Sequence, residues 1–226
     1  MKNKIINALP FILLLSFFSA QQIIFKDKNF ERAVLENHDL NKDGKISPSE
    51  AERVENLFLM NKGITSAEDL SSFKNARMII LDENNIPNIS MKNMDRVELI
   101  SCAGSKVSFF MAENLKSLAS LYLDNNLIER ISLKMTSRIN QLTVSLNKIK
   151  TIDVSALKYL KKLNLEHNQI QKLDISANAN LETLNVMKNP IKEKDIEKDR
   201  QMSRFLDWIN LKKMYLETER LILKKT

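Results

Sequence analysis

The stretch Ser120-Leu121-Tyr122-Leu123-Asp124-Asn125-Asn126-Leu127-Ile128 has a counterpart in Gln141-Leu142-Thr143-Val144-Ser145-Leu146-Asn147-Lys148-Ile149. Both read polar, aliphatic, variable, aliphatic, two variable, Asn, variable, aliphatic. Outward from this pair, the first aliphatic position recurs at Leu57, Ile79, Ile100, Leu121, Leu142, Leu163 and Leu184; the first interval is 22 residues and the other five are 21. A fixed period of this length predicts stacked repeats, each burying its apolar residues against its neighbours. Strand alternation puts Leu121 and Leu123 inward and Tyr122 outward. The turn that follows leaves backbone groups in need of partners. An asparagine amide offers two donors and an acceptor, and Asn84, Asn126, Asn147, Asn168 and Asn189 stand at that place. Lys62 and Ser105 depart from it. Ile64, Ile86, Val107, Ile128, Ile149, Ile170 and Ile191 then cover the core from the other wall. Asp153-Val154-Ser155 and Asp174-Ile175-Ser176 recur in register, a further mark of duplication.

This inner spacing is that of leucine-rich repeats. Over residues 57–191 the chain resembles the secreted bacterial leucine-rich-repeat proteins, broadly the internalin-like group. The expected fold class is an α/β solenoid, a curved array of about seven short parallel strands with a helical cap at each end.

The flanks read differently. Residues 1–20 have the form of a secretory signal: Lys2 and Lys4 give a basic start, Leu9 to Phe18 an apolar stretch, and Ser19-Ala20 precede the polar Gln21-Gln22. The stretch is too short to span a membrane as a helix, so the expectation is export to the envelope or beyond, with no membrane span. Residues 21–56 form an N-terminal cap in which Phe30, Ala33, Val34 and Leu35 fall at helical spacing. Residues 192–226 are charged, with Ile196, Met202, Phe205, Leu206, Trp208 and Ile209 spaced as on an amphipathic helix. Such a helix would close the open end of the array. Met214 to Leu223 fits helix or strand equally.

Within the first cap, residues 39–50 match a calcium-binding EF-hand loop. Asp39, Asn41 and Asp43 offer side-chain oxygens at positions one, three and five, and Gly44 permits the sharp turn at six. Lys45 would give its backbone carbonyl, Ser47 would act through water, and Glu50 would bind with both oxygens. Hard oxygen donors at this spacing suit calcium rather than zinc. Resemblance to secreted repeat proteins with one such loop ahead of the first repeat implies a structural calcium rather than a signalling one.

Catalytic patterns are missing. Gly44, Gly63 and Gly104 are the only glycines, so no phosphate loop or dinucleotide fingerprint can be built. His38 and His167 belong to no zinc motif, and the His167–Glu166 pair reads as a solvated surface pair. The formal charge is +7; setting Lys2 and Lys4 aside leaves 33 bases against 28 acids, interleaved along the chain. That pattern excludes the concentrated basic block of a nucleic-acid binder. The lone Cys102 stands where other repeats place Leu or Val and reads as a buried hydrophobe. An enzyme is not expected.

A binding face is. Phe58, Met78, Ile80, Leu99 and Tyr122 fall at outward strand positions on neighbouring repeats. Exposed apolar patches of this kind mark interaction sites, unless the N-terminal cap folds over part of them. The C-terminal half of the same face is polar, around Asn164 and Asn185. The expected function is recognition of a protein ligand through the concave strand face. The alternative is a structural envelope or adhesion protein that binds polysaccharide or assembles with its own copies. Isolated aromatics, Phe58 and Tyr122, favour protein over sugar.

Overall fold

The structure, a computed structural model, describes residues 22–197. Residues 1–20, expected to be a secretory signal, and the apolar positions from Met202 onward lie outside the described residues. The first helix, α1 (Lys28–His38), starts at Asp27, whose carboxylate accepts the N–H groups of Asn29 and Phe30. Its buried face, Phe30, Ala33 and Val34, meets Phe25 and Phe73; the three rings lie with centroids 5.8–6.3 Å apart. A second helix, α2 (Pro48–Ala51), is one turn long. It has Pro at its start and a reciprocal capping box between Ser47 and Glu50.

The repeats build two walls. The long wall is a seven-stranded parallel sheet. Its strands are β1 (Asn56–Phe58), β2 (Met78–Ile80), β4 (Leu99–Ser101), β6 (Ser120–Tyr122), β8 (Gln141–Thr143), β9 (Lys162–Asn164) and β11 (Thr183–Asn185). Leu57, Ile79, Ile100, Leu121, Leu142, Leu163 and Leu184 pair in register across it and are buried, as the period predicts. The second wall holds β3 (Asn88–Lys92), β5 (Phe109–Glu113) and β7 (Arg130–Lys134), also parallel. Beyond β7 this wall changes character. At Ser155 and Ser176 the backbone N–H folds back to Asp153 and Asp174 at 2.9 Å, so the duplicated Asp-x-Ser triplets are Asx turns. Among the described residues no helix is long and apolar enough to cross a membrane.

A buried asparagine ladder ties the turns together. Asn126 accepts the N–H groups of Ser105 and Val107 and donates to the carbonyls of Cys102 and Leu123. Each rung therefore reaches back to the preceding repeat. This explains the departure at Lys62: the first repeat has no repeat before it, and Asn84 serves the Lys62 N–H. Ser105 fills a rung with its hydroxyl, accepting from Asn84 N–H at 3.1 Å and donating to Leu81 O at 2.9 Å. The residue before each rung is left-handed: Asn61, Glu83, Gly104, Asn125, Leu146, His167 and Lys188 all have positive φ. Gly104 alone takes that conformation without a Cβ penalty; the others are held there by the stacking on either side.

The far end departs from expectation. Residues 192–197 do not begin a helix: Glu193–Asp195 is a 3-10 turn, and Ile196–Glu197 (β12) pairs in parallel with Leu173–Asp174 (β10). The half-buried Ile196 continues the second wall by one strand instead.

Candidate functional site

The calcium-type loop runs between α1 and α2. The structure gathers its first three ligand candidates. Asp43 N–H donates to Asp39 Oδ1 at 3.2 Å and to Asn41 Oδ1 at 3.0 Å, and Gly44 N–H donates to Asp39 Oδ2 at 2.9 Å. Asn41 Nδ2 reaches Asp43 Oδ2 at 3.0 Å, and Lys45 N–H donates to Asp43 Oδ1. Gly44 has φ +76°, with open space where a Cβ would lie. Glu50 is buried and closes the loop from its far end. Its Oε1 accepts Leu40 N–H at 2.9 Å, and its Oε2 accepts Ser47 N–H at 2.8 Å and the Ser47 hydroxyl at 2.7 Å. The Ser47 donors, joined by the Leu40 and Asn41 N–H groups, hold the Glu50 carboxyl down to about 2, so it is ionised at neutral pH. Among the described residues no three His, Cys, Asp or Glu side chains are gathered closely enough to hold a metal by themselves. The side chains the loop brings together are instead mixed, with the Asn41 amide and Ser47 hydroxyl oxygens beside the carboxylates. All are hard oxygens on a turn that closes on itself, which fits a calcium ion.

The cap is clasped to the first repeat by two buried carboxylates. Asp27 Oδ2 accepts Thr65 N–H at 2.6 Å, the Thr65 hydroxyl at 2.7 Å and Ser66 N–H at 2.9 Å. Asp69 accepts the N–H groups of Lys26 and Asp27 at 2.9 and 3.0 Å. Neither signal is visible in sequence, because only the tertiary fold brings 27 beside 65 and 69 beside 26.

On the long sheet, the outward positions have the orientation that alternation predicts. Phe58 is 57% exposed and Met60 51%, so the cap does not fold over them. Met78, Ile80, Leu99 and Tyr122 are half-buried. The register places Met78 beside Leu99 and Phe58 beside Ile80. Tyr122 stands one strand further off, with Ser101 between it and Ile80. Ser101 is buried, its hydroxyl donating to Asp82 Oδ1 at 2.6 Å. The patch is thus an apolar group of Phe58, Met78, Ile80 and Leu99, with Tyr122 as an outlier. His167 Nδ1 lies 3.4 Å from Glu166 Oε1, with both side chains partly exposed.

Cys102 is buried in the row of inward Leu and Val side chains, and burial pushes its thiol up to about 12. A thiol reagent is expected to modify it only after denaturation; fast labelling of the native protein would contradict this placement. Cys102→Ser is expected to cost roughly 1–3 kcal/mol in a denaturant melt, for a hydroxyl buried in an apolar row.

No family model matches the sequence, and no curated protein does. Among solved structures, internalin C2 from Listeria monocytogenes is similar at 21% identity with a TM-score of 0.51, over 75% of this chain and 88% of that one. A chain of the LRIM1/APL1C complex is similar at 20% identity with a TM-score of 0.53; the match covers 67% of this chain and 33% of that longer one. At such identities the likeness is one of fold: over its described residues the chain is a parallel-strand, leucine-rich-repeat solenoid of about seven turns.

Proposed function

We propose that this protein is an exported recognition module that captures another protein on the strand face of its first repeats, with its N-terminal cap fixed by calcium. The observation that carries the reading is the open apolar group of Phe58, Met78, Ile80 and Leu99 on a rigid sheet. Large side chains on hydrogen-bonded strands lose little freedom when a partner covers them, which favours binding. Among the described residues no three His, Cys, Asp or Glu side chains gather into a metal-type cluster, and binding along the face is what repeat arrays commonly do. Export is supported by the form of residues 1–20, and the closing of the array's far end by the spacing of Met202, Phe205, Leu206, Trp208 and Ile209, which lie outside the described residues.

The test is capture from envelope and host extracts in calcium, comparing the wild type with Ile80→Asp/Leu99→Asp. These side chains point away from the core, so the variant should melt near the wild type and lose the captured protein. Equal capture by the two would overturn the reading, and polysaccharide capture would favour the adhesion alternative.

Asp39, Asn41, Asp43, the Lys45 carbonyl, Ser47 and Glu50 would hold the calcium. The ion would supply positive charge that links the end of α1 to the start of α2. Calcium at a hundredfold excess over its dissociation constant should raise stability by about 2.7 kcal/mol. Glu50→Gln should remove most of that gain. It should also lower the calcium-free melt, because an amide offers one acceptor oxygen where Glu50 uses two, so the readout is the calcium-induced increment rather than the absolute melt. A wild-type melt unmoved by chelator would sink the calcium reading.

A further inference from the structure

The strand face carries fixed negative charge beside its apolar patch. Along its outward positions stand three carboxylates, Asp82, Asp124 and Glu166, and one base, Lys162, on a chain whose formal charge is +7. The carboxylates fall on every second repeat. Asp82 and Asp124 are anchored rather than mobile. Asp82 Oδ1 accepts Ala103 N–H at 2.7 Å besides the Ser101 hydroxyl. Asp124 Oδ1 accepts Ser145 N–H at 2.8 Å, and its Oδ2 accepts the Thr143 hydroxyl. None of these donors is a cation. Four other carboxylates do meet a base one repeat away: Arg77 with Glu98, Lys92 with Glu113, Lys116 with Asp95, Lys161 with Glu182. Among the described residues no lysine or arginine pairs with Asp82 or Asp124.

Resting on the recognition reading above, we infer that the partner segment is apolar and basic: a polypeptide stretch whose hydrophobic side chains cover the Ile80–Leu99 patch while lysines or arginines meet Asp82 and Asp124. Fixed anions beside an apolar patch select such a segment and reject an acidic one, because a carboxylate brought against them would be a like charge at short range. The two aspartates are two strand spacings apart, about 9–10 Å. Two basic residues reach that span at i and i+7 on a helix, about 10.5 Å, or at i and i+3 in polyproline II, about 9.3 Å. A β-strand misses it, because its i and i+3 side chains point to opposite faces.

The probe is a random peptide phage library panned on the full chain in calcium, followed by affinity measurements on the selected peptides as synthetic free peptides. The expected winners pair Lys or Arg with large apolar residues. They should bind Asp82→Asn/Asp124→Asn about tenfold more weakly and weaken as salt rises. Asparagine keeps an oxygen for the Ala103 and Ser145 N–H groups, so this variant should fold. Salt dependence on the wild type reads the same charge without any substitution. Winners lost in Ile80→Asp/Leu99→Asp but indifferent to salt and to the asparagine pair would overturn the charge inference and leave the recognition face standing. Winners indifferent to both variants would overturn both, and a selection without enrichment of basic-apolar peptides would overturn the inference.

Discussion

Asn126→Ala is expected to lower the melting temperature by about 10 °C, corresponding to a loss of about 3–4 kcal/mol. Asn126 is a buried rung in the middle of the array, and its amide serves five backbone groups. Its oxygen accepts from Ser105 and Val107, and its nitrogen donates to Cys102, Leu123 and Asp124. Alanine leaves these groups in a space too apolar to hydrate them well, and an unsatisfied buried group costs more than the bond it made. The terminal rung Asn189 is only half-buried, so water can replace part of what Asn189→Ala removes. Its loss should be less than half as large. Equal losses at the two positions would mean that the ladder contributes by something other than burial.

Asp27→Ala is expected to cost about 3–4 kcal/mol as well, combining a lost helix cap with orphaned donors in the first repeat. The carboxylate accepts from Asn29 and Phe30 at the start of α1 and from Thr65 and Ser66 across the cap boundary. Burial pushes its carboxyl up, but the Thr65 hydroxyl and the N–H groups of Phe30, Thr65 and Asn29 outweigh it, leaving the group below its ordinary 3.8. A carboxyl lowered in the folded state stabilises fully above its ordinary value, and that stabilisation fades as pH falls through the lowered value. The gap between wild type and Asp27→Ala should therefore be constant near neutrality and narrow in acid. Hydrogen exchange adds a second readout, with α1 and residues 65–66 losing protection together while the distant strands keep theirs. A uniform loss of protection would contradict the clasp.

Much of this architecture is legible because repetition averages over local ambiguity. One Leu-x-Leu could sit in any strand, but seven in register fix both the period and the inward face. The asparagine rungs are legible for the same reason. The second wall is harder, although Asn88–Lys92, Phe109–Glu113 and Arg130–Lys134 each alternate. Five residues make a short window, and Ile, Met, Phe, Ala and Leu share its inward positions. The left-handed row leaves no trace at all, since Asn, Glu, Gly, Leu, His and Lys occupy it; stacking sets that conformation, not propensity. The turn and strand at 192–197 lay outside a reading based on helical spacing, because Ile196 answers to Leu173 in the wall rather than to neighbours along its own segment. The outward face is legible in direction but not in continuity. Only the register reveals that Ser101 separates Tyr122 from Ile80, and only the fold turns Asp82 and Asp124 into fixed, unpaired anions.

Hydroxyl-radical footprinting of the free protein and of its complex with the captured partner tests the central claim most directly. Phe58, Met60, Met78 and Tyr122 are oxidisable, outward on the long sheet and at least partly exposed. The account predicts strong protection at Phe58, Met60 and Met78, weaker protection at Tyr122, and none at Met135 on the opposite side of its repeat. Protection confined to Met135 and the second wall, with the strand-face residues oxidised as in the free protein, would contradict it.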